Sequence, residues 1–88
     1  MKLIIAILRD SDSDPVSQAL VQESYRVTRI ASTGGFLRRG SSTLMIGTEA
    51  DRVDRAIELI KENLGPATEP GVNRANLFVI KVDHFHQV

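Results

Sequence analysis

The chain of 88 residues contains no cysteine, which excludes disulfides, thiolate metal sites and cysteine nucleophiles. It has no excess charge of either sign. Eleven basic residues balance eleven acidic ones, so neither a nucleic-acid polymer nor a membrane surface is an expected partner. Nothing approaches the run of roughly 18 apolar residues that reads as a membrane span. LIIAIL at 3–8 is too short for a signal peptide, and RDSDSDP follows where a small-residue cleavage site would be needed. These absences lead to the expectation of a cytoplasmic protein without membrane insertion. A second hydrophobic core has no room to form, so one domain over 1–88 is expected. A domain this small gains stability from oligomerisation.

What is present has clear periodicity. KLIIAILR at 2–9 is a continuous β-branched apolar run and reads as a strand buried on both faces. DSDSD at 10–14 reads as a polar loop, with Asp14 as cap and Pro15 as first residue of a short amphipathic helix over 15–24. YRVTRIAS at 25–32 and STLMIGT at 42–48 read as the second and third strands. Thr48 and Asp51 have the spacing of a capping box. They open a helix with apolar positions Val53, Ile57, Ile60 and Leu64, which Gly65-Pro66 stops. ANLFVIKV at 75–82 is the last strand.

The order β-α-β-β-α-β with short connections predicts an α+β, ferredoxin-like sandwich, a four-stranded antiparallel sheet with two helices on one face. The first strand should then alternate, yet it is apolar on both sides. Ile4, Ala6 and Leu8 share one face, and Leu3, Ile5 and Ile7 share the other. No spare element remains to cover the second face, so a homo-oligomer with its sheets turned inward is expected.

Several stretches carry possible chemistry. In ASTGGFLRRG the adjacent glycines Gly34 and Gly35 suit an anion-binding nest of backbone N–H groups, and equally a tight hairpin turn. Neither a GK[ST] phosphate loop nor a GxGxxG fingerprint is present. Phe36 and Leu37, bulky at the tip of a polar turn, suit either a subunit contact or a wall for a stacked base. Arg26 and Thr28 share one face of the second strand, and Arg29 lies on the other. Eight of the eleven basic residues are arginine, the better donor to phosphate. His84 and His86 face one way in an extended chain, but no third ligand is near, so no metal is expected. The Asp10-Asp12-Asp14 series lacks the glycine and distal glutamate of a calcium loop. No nucleophile–base–acid set stands out, and catalysis is not expected.

MKLIIAI, RVTRIASTGGFLRRGSSTLMIG, DRVDRAIELI and FVIKVDHFHQV together resemble the PII-like cyclic-di-AMP receptor proteins along nearly the whole chain. The resemblance implies a homotrimer, a cyclic dinucleotide ligand held between neighbouring subunits, no cofactor, no catalysis, and a target protein the sequence does not name. Residue by residue, it implies ligand contacts from Arg26, Thr28, Gly35, Phe36, Leu37, Ser41, Gly47, Phe78 and Gln87. Arg26 and the Gly35 region would meet phosphate, Phe36 and Phe78 would offer apolar surface to adenine, and Gln87 would pair with a base edge. Two departures from the family pattern stand out. Ser24 and Ser41 occupy positions where the pattern has asparagine. The segment GPATEPGVNR at 65–74 replaces a long loop. A structural or protein-interaction trimer without ligand, and a PII-like ATP/ADP sensor, are the alternative readings.

Overall fold

The computed structural model describes residues 1–31, 40–67 and 73–88, without the side chain of residue 31. The elements are β1 (Lys2–Arg9), α1 (Asp10–Gln22), β2 (Arg26–Ala31), β3 (Ser41–Thr48), a 3-10 turn over Ala50–Arg52, α2 (Val53–Asn63) and β4 (Ala75–Lys81). The strands form one sheet in the order β2-β3-β1-β4, with every neighbouring pair antiparallel. This is the ferredoxin-like α+β arrangement that the order of periodic segments predicts.

One side of the sheet carries the core. Ile4, Ala6 and Leu8 of β1 lie beside Leu44 and Ile46 of β3 under the two helices. Val16 and Leu20 of α1, with Ala56, Leu59 and Ile60 of α2, close the layer. Of the stripe expected for α2, Ile60 is buried and Val53 and Leu64 pack half-buried against the core, whereas Ile57 stays outside the core and Ala56 and Leu59, beyond that stripe, enter it.

The other side of the sheet bears no helix. The register aligns Arg26, Gly47, Leu3 and Ile80 in one row across the four strands, and Thr28, Met45, Ile5 and Phe78 in the next. Leu3, Ile5 and Ile7 are half-buried there, while Phe78 and Ile80 keep 52% and 45% of their surface exposed. The first strand is apolar on both faces, as read from the sequence, but a single chain buries only the helix side.

Two local expectations are corrected. DSDSD is not a loop; it is the first turn of α1, which begins at Asp10 and takes Pro15 into its interior. Carboxylates in a first turn interact favourably with the helix dipole, and the surrounding chain holds these two. The Asp10 N–H donates to the Gly40 carbonyl at 2.7 Å, and the Ser42 hydroxyl donates to the Asp10 carboxylate. Asp12 is buried and accepts from Arg9 Nε at 2.9 Å and from the Gly65 N–H at 3.0 Å. Pro15 removes one helical N–H beyond the first turn, a loss these contacts offset. The second correction concerns the capping box. Thr48 is the buried last residue of β3, paired with Lys2, and the 3-10 turn separates it from α2. Glu49 precedes that turn, and its side chain makes no cap hydrogen bond.

The Asp12 carboxylate joins the start of α1 to the segment that follows α2. Arg9 extends the junction by donating to the carbonyls of Gly65 and Pro66, both at 2.9 Å. A Cβ on Gly65 would lie 3.1 Å from Asp12 Oδ1 and 3.3 Å from Arg9 Nη2, so the absence of a side chain permits the approach. Hydrogen bonds to a charged group are worth about 1.5–3 kcal/mol each. Asp12→Ala is therefore expected to lower stability by about 2 kcal/mol, seen in a denaturant titration as an earlier midpoint with an unchanged slope.

The turn from α1 into β2 holds a strained position. Ser24 has φ of 67°, in the left-handed region, where most L-residues pay about 1–2 kcal/mol and asparagine or glycine is favoured. The asparagine of the family pattern thus has a backbone rationale that involves no ligand. Ser24→Gly is expected to raise stability by about 0.5–1 kcal/mol, the relief of strain exceeding the lost chain stiffness. A thermal melt no higher than wild type would show that the hydroxyl matters more than the backbone. Beside this turn, buried Tyr25 donates from its hydroxyl to the Arg52 carbonyl at 2.8 Å, with the Arg52 guanidinium 4.1 Å from its ring centroid. Arg55 donates to the Glu23 carboxylate at 2.6 Å and 3.0 Å, and these bonds hold that carboxyl below its ordinary pKa.

Candidate ligand cavity

The first cross-strand row builds the candidate site. Pairing of β2 with β3 sets Arg26 opposite Gly47, and pairing of β3 with β1 sets Gly47 opposite Leu3. Because Gly47 has no side chain, a depression opens between Arg26 and the first residues of the chain. Past β4, the Val82 N–H donates to the Met1 carbonyl at 3.0 Å, and the last residues run on without further backbone pairing among the described residues. They bring Phe85 and Gln87 to the same depression. The result is a cavity of about 410 Å³ on the helix-free side of the sheet.

Four of the residues singled out in the sequence line this cavity: Arg26, Thr28, Gly47 and Gln87. Arg26 Nη1 lies 3.5 Å from Gln87 Oε1, a long contact between exposed groups. Phe78 occupies the neighbouring row on the same face but does not line the cavity. Ser41 opens β3 opposite Arg9, six residues along the strand from Gly47, or about 20 Å at strand rise. Gly35, Phe36 and Leu37 lie outside the described residues. His84 and His86 are exposed and do not line the cavity.

Sequence reasoning missed several walls. Leu3 and Met45 form the apolar floor, and Lys2, Val82 and Phe85 contribute sides. The cross-strand register would have identified Leu3 and Met45 had it been known. Phe85 was signalled by its spacing of two from Gln87, which puts both on one side of an extended segment. Lys2 had no signal in the sequence.

The charge partners of the arginines distinguish one of them. Arg9, Arg29 and Arg55 each pair with a carboxylate, at Asp12, Asp14 and Glu23 respectively. Arg52 and Arg74 donate to main-chain carbonyls. Among the described residues, Arg26 makes only the long contact to an amide oxygen. A guanidinium left with open donor positions suits a phosphate or carboxylate, which it can bind in bidentate fashion. Among the described residues, the cavity lining contains neither a carboxylate nor an imidazole beside the Thr28 hydroxyl. Among the described residues no cluster of His, Asp and Glu has the geometry to hold a metal. The cavity sets a guanidinium next to an apolar surface.

A βαββαβ sheet with a cation-bearing, apolar-floored cavity on its helix-free face defines a small domain of the α+β, ferredoxin-like class. Comparison with known proteins narrows the class. Residues 1–70 match the family model described as cyclic-di-AMP receptor, and the chain belongs to that family. Among solved structures it is similar to a functionally unknown protein from Pediococcus pentosaceus ATCC 25745. The two are 35% identical, with a TM-score of 0.79 and coverage of 99% of this chain and 96% of the other. No described helix is long and apolar enough to cross a membrane.

Proposed function

We propose that this chain is a non-catalytic cytoplasmic signalling protein that binds cyclic di-AMP in clefts between the subunits of a homotrimer and regulates a target protein. The observation that carries this reading is Arg26, a guanidinium without a carboxylate partner among the described residues, standing over an apolar floor in a chain of the cyclic-di-AMP receptor family. The ligand presents two phosphodiesters and two adenines. Arg26 serves a phosphate, Thr28 and Gln87 serve phosphate or base edge, and Gly47 lets the ligand approach the strand. A cavity of about 410 Å³ lies at the low end for a small-molecule site. It is therefore a half-site, completed by a neighbouring subunit laid against the exposed Phe78 and Ile80. Gly35, Phe36 and Leu37, together with Ser41 and Phe78, contribute to that completed cleft.

Titration calorimetry with cyclic di-AMP, ATP and ADP, with light scattering on the same sample, tests the reading. Micromolar or tighter binding of cyclic di-AMP by a trimer is expected. Preference for ATP or ADP identifies a nucleotide sensor instead. A folded trimer that binds none of the three is an interaction scaffold, and a monodisperse monomer rules out the cleft.

A further inference from the structure

We infer that Phe85 is the aromatic wall on which one adenine of the ligand stacks, an inference that rests on the cyclic-di-AMP reading of this cavity. Phe78, the aromatic residue on the last strand, sits in the neighbouring row and does not line the cavity. Phe85 does line it, and 60% of its surface is exposed, so much of the ring remains free for contact. The segment after Val82 makes no backbone ladder among the described residues, and alternate side chains meet the cavity: Phe85 and Gln87 line it, while His84 and His86 do not. Met45 and Leu3 lie on the floor beneath.

This spacing places two complementary elements two residues apart. An aromatic face accepts any base, since every base has a π surface. A glutamine amide offers one donor and one acceptor side by side, which matches N7 and N6–H of adenine. Guanine presents two acceptors, O6 and N7, along the same edge, so the amide satisfies only one. The segment from Phe85 to Gln87 therefore works as a clip that stacks a purine and selects adenine. The Arg26–Gln87 contact is long enough to yield to the base edge.

Calorimetry with cyclic di-AMP and cyclic di-GMP on Phe85→Ala, Phe85→Leu and Phe85→Tyr tests this inference, with melting temperature and light scattering measured in parallel. Base–aromatic stacking corresponds to a loss of roughly 5- to 150-fold per base on truncation. Phe85→Ala and Phe85→Leu are expected to weaken cyclic di-AMP at least about fivefold with the oligomeric state unchanged. Phe85→Tyr is expected to retain wild-type affinity, and the wild type is expected to disfavour cyclic di-GMP. If Phe85→Ala fails to fold, Phe85→Leu carries the test, because it keeps the apolar bulk and removes only the ring. Wild-type affinity in Phe85→Leu overturns the stacking role and leaves the ligand reading intact. Equal losses in Phe85→Leu and Phe85→Tyr also overturn it, since a ring would then confer nothing. A wild-type protein that binds no cyclic dinucleotide overturns both.

Discussion

Arg26→Ala is expected to weaken cyclic-di-AMP binding by at least about 30-fold while shifting the melting temperature by no more than about 3 °C. The asymmetry follows from where the guanidinium sits. Arg26 is exposed in β2, and its only described side-chain contact is the 3.5 Å approach to Gln87. Surface substitutions of that kind usually change stability by no more than about 0.5 kcal/mol. Truncating one partner of a hydrogen-bonded charge pair at a binding site, by contrast, costs about 2–5 kcal/mol. Arg26→Lys separates charge from geometry. A lysine keeps the charge but cannot present the two parallel N–H groups of a guanidinium, so partial recovery with a steeper salt dependence is expected. Calorimetry at two ionic strengths with a thermal melt checks all of this. Unchanged affinity in Arg26→Ala would remove Arg26, and with it the anion-binding reading of the cavity.

Gly47→Val is expected to abolish detectable binding and leave the fold intact. A glycine inside a strand is itself unfavourable by roughly 0.5–1 kcal/mol relative to alanine, so its presence in β3 needs a reason. The protein's own packing does not supply one. Among the described residues, a Cβ placed there would meet only the Met1 side chain, at an ordinary contact distance of 3.5 Å. Gly47 contrasts in this respect with Gly65, whose neighbours press against any added carbon. The space above Gly47 is the cavity itself, between Arg26 and Leu3. Valine, a good strand former, would fill that space. Thermal melting should give a value at or above wild type, and calorimetry should give no heat with cyclic di-AMP. Wild-type affinity in Gly47→Val would mean the ligand does not approach this strand.

The two substitutions also mark what the sequence could and could not reveal. β1 was legible to the residue because a run of Leu, Ile and Ala has one reading when β-branched residues dominate. The start of α1 was not. Asp10–Asp14 has loop composition, and it is helical because Arg9, Gly40, Ser42 and Gly65, three of them distant in sequence, supply its hydrogen-bond partners. Thr48 likewise has the letters of a cap, and pairing with Lys2 keeps it in the strand. At the site, the family resemblance nominated Arg26, Thr28, Gly47 and Gln87, and alternation put Arg26 and Thr28 on one face. The cavity they share comes from register, which brings the first, third and second strands into one row. Lys2 and Met45 could not be placed there without that register, Phe85 was signalled only by its spacing from Gln87, and Ser41, on the same strand as Gly47, is kept from this cavity by strand length alone.

The bond from Val82 N–H to the Met1 carbonyl has a consequence for how the site forms. It closes a loop of some eighty residues, and the cavity lies beside that closure. Such a contact forms only after the entropy of ordering the intervening chain has been overcome. No fragment that ends before β4 contains the whole lining, so the cavity appears late in folding and all at once. Linkage runs the other way as well. A ligand bound there favours the paired state of the edge strand β4 over its frayed state, and backbone amides along β4 then exchange their hydrogens more slowly when the site is filled.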